Sequence, residues 1–199
     1  MNPDKPQSQD VRDAERKRLF SELYEEALTK KAGDFIEYRG GFPKEEFLDF
    51  LVREKGVLLH GSNEQAIQEL EPRQANCRSK KFGNMKGVYA VEDPLLPIFY
   101  SIKDKNRFKG LAVSGFEVAH DESGSRKKYH FEVSRGTLEE NPWSEGVVYV
   151  LPKETFEQGT DDEGRPIDEW MSKIPVQPIA KLKVAPDDFR YLDKIQPID

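Results

Sequence analysis

The spacing of apolar residues changes at Gly56, and this change limits the possible folds more than any other feature of the sequence. Before Gly56, apolar residues recur every three or four positions among charged ones, which is typical of amphipathic helices. After Gly56, they form short runs separated by turn-forming residues, which is typical of strands. Few helical stretches separate these runs, so a parallel sheet wound with helices is disfavoured. We therefore predict an α+β fold with mainly antiparallel sheets and helices at the N-terminus.

Two helices are predicted before Gly56. The first has Asp10 as its N-cap, basic residues in its last turn and Gly33 beyond its end. The second begins after Pro43, whose fixed φ suits the start of a helix, and it ends at Gly56. We interpret both as an accessory layer on the strand-rich part of the chain.

The size and polarity of the chain limit its organisation. Of 199 residues, 36% are hydrophobic, which suffices for one substantial core. We interpret residues 1–55 as a tail with accessory helices and residues 56–199 as the main domain, together forming one compact unit. No apolar run approaches the roughly 18 residues that cross a bilayer, and the polar start at 1–10 has no hydrophobic signal core. We expect neither membrane contact nor conventional export.

Charge and cysteine content exclude several classes of protein. Cys77 is the only cysteine, which excludes an internal disulfide and any CxxC motif and fits a reducing, cytoplasmic compartment. The net charge of -6 gives no global attraction to nucleic acid or anionic lipid. A local basic strip at Arg73, Arg78, Lys80 and Lys81 is compatible with an anion site or with a solvated loop.

The part of the chain after Gly56 contains several predicted strands. They are residues 57–59, 88–91, 147–151 and 179–184, with 111–119 and 128–133 forming a hairpin. Residues 159–166 are rich in Gly, Asp and Pro and predict a surface loop. Common hydrolase, nucleotide-binding and metalloprotease motifs are absent, and the three histidines are too scattered in the sequence to predict a metal site.

Three short segments place polar or aromatic side chains at or near the ends of predicted strands. They are His60-Gly61-Ser62, the pair Tyr89 and Tyr100, and Glu145 directly before the strand at 147–151. A glycine at a strand end lets a ligand approach the backbone, and a neighbouring histidine can exchange a hydrogen bond with it. Two aromatic rings can clamp a flat heterocycle. Taken separately, such segments are more often a turn, two core tyrosines and an exposed glutamate.

The order and spacing of the three segments resemble the catalytic domain of the poly(ADP-ribose) polymerase and diphtheria-toxin-like ADP-ribosyltransferases. In that family a strand ends in His-Gly-Ser or His-Gly-Thr, a Gly-Val-Tyr strand follows with a second Tyr about three helical turns later, and a Glu precedes a Val-Tyr strand. The resemblance covers residues 57–151. It implies a fold of two packed, mainly antiparallel sheets.

The resemblance also implies a role for each residue in binding NAD. His60 would bond the adenosine-side ribose, and the Gly61 backbone would bond the nicotinamide carboxamide. Tyr89 and Tyr100 would sandwich the nicotinamide ring. Glu145 would be the catalytic residue, because a carboxylate bonded to the ribose 2′-hydroxyl stabilises the positive charge that develops when the glycosidic bond breaks.

The sequence departs from the family pattern at two positions. Pro97 stands where many members carry a Ser that bonds the carboxamide, which leaves nicotinamide one hydrogen bond short. Trp143, two residues before Glu145, speaks against the arginine-modifying branch. Ser62 completes the His-Gly-Ser motif and is assigned to NAD binding. Arg73 lies between the His strand and the Tyr strand, in the region that often forms the binding site for the phosphates of NAD in the family. We therefore expect Arg73 to bind the pyrophosphate. Arg78, Lys80 and Lys81 could serve equally.

The predicted function is therefore that of an NAD-dependent mono-ADP-ribosyltransferase or NAD glycohydrolase, with NAD as co-substrate. The acceptor of ADP-ribose stays open among protein, nucleic acid, a small molecule and water. One alternative is a non-catalytic module on the same fold that binds NAD, ADP-ribose or a protein. A second is RNA 2′-phosphotransferase chemistry, which the net charge of -6 disfavours because it needs a basic RNA groove.

Overall fold

Helices and mainly antiparallel strands make up the computed structural model, which describes residues 9–75, 82–121 and 124–199. Within these ranges the fold class is α+β, as predicted. The helices are α1 (Gln9–Thr29), α2 (Lys44–Lys55), α3 (Leu95–Ser101) and α4 (Arg135–Glu139). Among the described residues, no helix combines the length and the apolar character that crossing a bilayer requires.

The strands of the described ranges form three sheets, where two were predicted. The first sheet has the order β1 (Leu58–Ser62), β6 (Gly146–Leu151), β9 (Ala180–Val184). The second has the order β10 (Gln196–Ile198), β5 (Gly124–Ser134), β4 (Ala112–Asp121). The third has the order β2 (Arg73–Gln74), β3 (Lys86–Ala90), β8 (Pro166–Ser172), β7 (Glu157–Thr160). All neighbouring strands are antiparallel except β10 and β5.

The N-terminal helices pack on the first sheet. The predicted second helix is confirmed: α2 follows Pro43 and ends at Gly56, whose φ of +66° is the left-handed conformation that glycine adopts without strain. Asp10 was predicted to cap α1 but lies inside the helix. Phe20 of α1 and Phe47 of α2 are fully buried in the same core cluster as the strand residues, because their apolar positions recur on one helical face.

Strand β6 separates two apolar cores. All six of its residues are buried, which explains why its sequence is continuously apolar rather than alternating. Val148 and Val150 face the core that contains the N-terminal helices and α3. Val147 and Tyr149 face the second core, formed with β3 and the segment before β2. The first sheet is therefore covered on both faces.

Helix α3 lies directly on the β1–β6 pair, backbone against backbone. A Cβ added at Gly61 of β1 would lie 2.0 Å from the backbone oxygen of Pro97. One added at Gly146 of β6 would lie 2.0 Å from the backbone oxygen of Ser101. Because real Cβ contacts are never this short, only glycine permits this approach.

Three predicted boundaries differ from the structure. Strand β1 does not stop before His60 but continues through Ser62, because Ser62 pairs with Val147 of β6. The predicted surface loop at 159–166 is confirmed at 161–165, but its first two residues and its last belong to the hairpin strands β7 and β8. In the turn between them, the Asp161 carboxylate accepts backbone N–H bonds. The predicted β4–β5 hairpin is confirmed, with longer strands.

The contact between α3 and β6 predicts the stability of one variant. Gly146→Ala should lower the free energy of unfolding by roughly 1–3 kcal/mol or more, because its Cβ forces the backbone of Ser101 away. Urea unfolding followed by circular dichroism measures the change.

Gly136→Ala is the matched control, because a Cβ at this α4 position meets nothing within 4 Å. Alanine also favours a helix over glycine by up to about 1 kcal/mol, so this variant should be as stable as the parent or more so. Equal unfolding midpoints for Gly146→Ala and the parent would contradict the close packing of α3.

Candidate functional site

The first and third sheets separate at the Gly61 peptide group. Leu59 of β1 and Val91 exchange both backbone hydrogen bonds, of 2.9 and 3.0 Å. This bridge is isolated, so β1 and β3 are not paired beyond it. Alternate residues of a strand direct their backbone groups to the same side, and the N–H and C=O of Gly61 therefore point toward β3. The gap between the sheets thus has a donor and an acceptor on its wall.

The imidazole of His60 lies at the same gap. Its Nδ1 is 2.7 Å from the carbonyl oxygen of Tyr89. A carbonyl only accepts hydrogen bonds, so Nδ1 carries the proton in the neutral ring and Nε2 is left as an acceptor. Burial lowers the pKa of His60 below its ordinary 6.5, and the nearby Arg73 lowers it further, outweighing the bond to Tyr89. His60 is therefore neutral at pH 7 and can accept a hydrogen bond from a hydroxyl.

A cavity of about 170 Å³ lies between β1, β2 and β3. Four residues predicted for the site line it: His60, Ser62, Arg73 and Tyr89. The apolar wall includes Leu70. Sites for drug-sized ligands measure about 300–1,000 Å³, so this cavity suits one portion of a larger ligand rather than the whole.

Tyr89 is held by the turn before its own strand. Its hydroxyl accepts a hydrogen bond from the Met85 N–H at 3.0 Å, and both the Phe82 and the Met85 carbonyls lie 2.8 Å away as acceptors. Its ring meets the Phe82 ring edge to face. Because Leu59 pairs with Val91, the next residues in register, Gly61 and Tyr89, lie on the same face of the sheets.

Tyr100 and Glu145 lie outside this cavity. Tyr100 is on α3, as predicted, and its ring is 41% exposed. Its hydroxyl is 2.9 Å from the Ser114 hydroxyl of β4. Glu145 is exposed directly before β6, and within the described ranges its carboxylate forms neither a hydrogen bond nor an ion pair. The structure therefore groups His60, Ser62, Arg73 and Tyr89 at one cavity. It places Glu145 directly before β6, at the end of the strand pair where β1 finishes with Ser62.

Asn63, which the sequence analysis missed, connects Glu145 to α3. Its amide nitrogen is 2.9 Å from the Glu145 backbone oxygen, 2.9 Å from the Ser144 hydroxyl and 3.3 Å from the Ser101 backbone oxygen. Its side-chain oxygen accepts a bond from the Lys105 N–H at 3.3 Å. The sequence feature that could have identified Asn63 is an amide side chain directly after His-Gly-Ser. At the end of a strand, backbone groups that have no partner in the sheet are often bonded by such side chains.

Pro97, which the resemblance places at the position of a carboxamide-binding serine, lies on α3 against β1. Pro97 packs its backbone against Gly61, and a proline has no N–H. The nearby Ser101 hydroxyl is fully buried and lies 2.7 and 2.8 Å from the carbonyls of Pro97 and Val147. Hence α3 offers a ligand no hydroxyl donor from either position.

Some candidate residues lie outside the described part of the chain. They are Cys77, Arg78, Lys80 and Lys81. Of the basic strip, the structure describes Arg73 alone. In the described ranges, no three His, Cys, Asp or Glu side chains are grouped to hold a metal ion.

The chain was compared with protein-family models, with curated proteins and with solved structures. No family model, curated protein or solved structure matched.

The bonds of Asn63 predict that its side chain stabilises this end of the first sheet. Asn63→Ala should lower the free energy of unfolding by about 1 kcal/mol, because the backbone oxygens of Ser101 and Glu145 lose a hydrogen-bond donor. The exposed Asn106 on the neighbouring turn provides the control: Asn106→Ala should change stability by less than about 0.5 kcal/mol. If both variants unfold at the same urea concentration, Asn63 does not hold the segment.

The environment of His60 predicts a pH dependence of stability. Its pKa is lowered in the folded chain, so the unfolded chain takes up the proton first when the pH falls below about 6.5. The parent should therefore lose more stability than His60→Gln between pH 7.5 and pH 5, measured by urea unfolding. His130→Gln, at an exposed position of β5, should follow the parent. Parallel pH curves for the parent and His60→Gln would contradict a neutral His60.

Proposed function

We propose that this chain is an NAD-dependent mono-ADP-ribosyltransferase or NAD glycohydrolase. The observation that carries the proposal is the backbone edge of Gly61, which pairs with no strand on the β3 side within the described ranges, beside a neutral His60 at a gap between two sheets. Both features belong to the His-Gly-Ser motif, and Glu145 precedes β6 at the end of the strand pair where that motif lies. The proposed fold is accordingly that of the ADP-ribosyltransferases, in which antiparallel sheets separate around the dinucleotide.

Gly61 and His60 suit the two functional groups that NAD would present. A carboxamide has one acceptor oxygen and two donor hydrogens, which complement the N–H and C=O of Gly61. The Nε2 of His60 accepts a hydrogen bond from a ribose hydroxyl. Arg73, at the rim of the same cavity, supplies a positive charge for the pyrophosphate. Tyr89 and Tyr100 would stack on the nicotinamide ring.

The register of β1 and β6 sets the distance between the two ends of the proposed site. His60 pairs with Tyr149, and Glu145 lies four residues before Tyr149. At about 3.3 Å per residue, this separation is roughly 13 Å along the strand. Such a distance suits two riboses joined by a pyrophosphate, with His60 at the adenosine end and Glu145 at the nicotinamide end.

Glu145 would act when the bond between ribose C1′ and the nicotinamide nitrogen breaks. The bonding electrons pass to the nicotinamide nitrogen, which leaves neutral, and positive charge develops on the ribose. A carboxylate bonded to the 2′-hydroxyl stabilises that charge, and a fixed charge of this kind is worth about 10²- to 10³-fold in rate. The acceptor that then attacks C1′ is a nucleophile of a protein, a nucleic acid or a small molecule, or water.

A non-catalytic module that binds NAD or ADP-ribose is the second candidate. It is favoured by Pro97, which removes a donor for the carboxamide, and by the position of Tyr100 outside the cavity that holds His60. This candidate keeps the binding roles of Gly61, His60 and Arg73 and assigns no chemistry to Glu145. RNA 2′-phosphotransferase chemistry stays the third alternative, which the net charge of -6 disfavours.

Nicotinamide release from NAD tests the proposal. Glu145→Gln should reduce the rate by about 10²- to 10³-fold and leave NAD binding, measured by calorimetry, nearly unchanged. Glu139→Gln, an exposed change in α4, should keep the parental rate. Binding with no release from the parent would favour the non-catalytic module. If neither NAD nor ADP-ribose binds the parent, both candidates are wrong.

A further inference from the structure

Lys103 lies among aromatic rings rather than beside a carboxylate. Its Nζ is 4.2 Å from the ring centre of Tyr100, 5.1 Å from that of Phe108 and 5.6 Å from that of Phe99. Within the described ranges it forms no ion pair, although the neighbouring Lys105 pairs with Glu64. An ammonium group over ring faces is held by the negative charge of the π-system.

Burial of the Lys103 side chain lowers its pKa. The pKa falls from 10.5 to about 8, with no opposing contribution from a carboxylate. At pH 7 most Lys103 side chains are therefore protonated, and above pH 8 most are neutral.

Within the described ranges, no carboxylate of the elements around Lys103 forms an ion pair with its ammonium group. On α3, the Tyr100 hydroxyl is bonded to Ser114 of β4. On the segment after α3, Asp104 accepts bonds from the Asn106 and Arg107 amides and from the Arg107 side chain. The charged side chains of the bordering segments are Asp104, Lys105, Arg107, Lys109 and Glu145.

We propose that Lys103 disfavours a cationic ring on Tyr100 and thereby promotes the departure of nicotinamide in its neutral form. This inference rests on the proposed function, in which Tyr100 stacks on nicotinamide. The nicotinamide ring of NAD+ is a cation. It is repelled by the Lys103 ammonium group, and it is attracted less strongly to the Tyr100 ring because that ring already attracts Lys103.

When the C1′–N bond breaks, its electron pair neutralises the nicotinamide ring, and the positive charge moves to the ribose. The repulsion is therefore present in bound NAD+ and relieved as the bond breaks, so Lys103 raises the energy of the bound substrate more than that of the transition state.

The inference predicts a specific pattern of affinities. NADH carries the same groups as NAD+ but has a neutral ring. In the parent, NAD+ affinity should rise about tenfold between pH 7 and pH 9, while NADH affinity stays constant. Two unit charges roughly 8 Å apart across the Tyr100 ring, at an effective dielectric constant of about 20, cost more than tenfold in affinity. The roughly one-tenth of Lys103 side chains that are neutral at pH 7 limits the observed rise to about tenfold. By linkage, NAD+ should lower the pKa of Lys103 further and NADH should not. The Lys103 ¹³Cε resonance reports that pKa directly.

Substitutions at residue 103 provide the decisive comparison. Lys103→Met keeps the length of the side chain and an aromatic-compatible sulfur. At pH 7 it should bind NAD+ about tenfold more tightly than the parent, bind NADH equally, and release nicotinamide with a lower kcat. Lys103→Arg keeps the charge at all pH values, so it should bind NAD+ weakly and without the change near pH 8. Lys109→Met, at an exposed lysine, is the control and should match the parent.

Each remaining outcome counts against a defined part of the proposal. If NAD+ and NADH respond alike to pH and to Lys103→Met, the charge effect is absent and this inference is wrong, while the proposed function stands. If Lys103→Met tightens NAD+ binding without lowering kcat, the link to nicotinamide departure is wrong. If the parent binds neither dinucleotide, the proposed function fails and the inference fails with it. Should Lys103→Met not fold, the Lys103→Arg pH profile and the ¹³Cε titration decide the question.

Discussion

The contact of the α3 backbone with two glycines is the constraint on which the rest of the structure depends. Gly61 and Gly146 let α3 approach the β1–β6 pair until the backbone oxygens of Pro97 and Ser101 fill the space of a side chain. This fixes α3 relative to the strands more closely than side-chain packing does, because backbone cannot change rotamer to relieve a clash. The position of Tyr100 relative to Gly61 follows from it.

The start of α3 is also held in place, by hydrogen bonds to a buried carboxylate. At its start, the fully buried Asp93 carboxylate accepts the Leu95 and Leu96 N–H bonds at 2.9 and 3.0 Å. The same carboxylate accepts bonds from the Tyr129 hydroxyl at 2.6 Å and the Lys127 ammonium at 2.7 Å, both on β5. Burial, with the bond to Asp93, raises the pKa of Tyr129. A buried carboxylate is tolerated only when it is bonded in this way, so the second sheet is joined to α3 by a complete network.

Much of the fold was predictable because local patterns and tertiary packing agree. The ends of α2 follow from Pro43 and Gly56, and the β4–β5 hairpin follows from alternation across a turn. The hairpin at β7 and β8 was missed because Gly159 and Pro166 read as loop residues, whereas Gly159 in fact packs against the Phe82 ring. Its strand character comes from contacts that are distant in sequence.

Part of the candidate site was predictable from the sequence. The residues His60, Ser62, Arg73 and Tyr89 come together at one cavity, and their order in the sequence was the signal. Asn63 and Lys103 could not be identified from the sequence, because an amide after a strand and a lysine after a helix are common features. What distinguishes them is their surroundings: backbone oxygens of two other segments around Asn63, and three rings around Lys103.

The hydrogen bond from His60 to the Tyr89 carbonyl lies where the pairing between β1 and the third sheet ends. In an antiparallel ladder continuing from Leu59 and Val91, that carbonyl would accept the N–H of Gly61. The imidazole bonds that carbonyl instead, and the strands β9, β6, β1, β3, β8 and β7 do not form a single six-stranded sheet. A side chain at position 60 too short to reach the Tyr89 carbonyl would leave that carbonyl open to the N–H of Gly61. Strands β1 and β3 could then pair beyond Leu59 and Val91, and the gap that His60 lines would be lost.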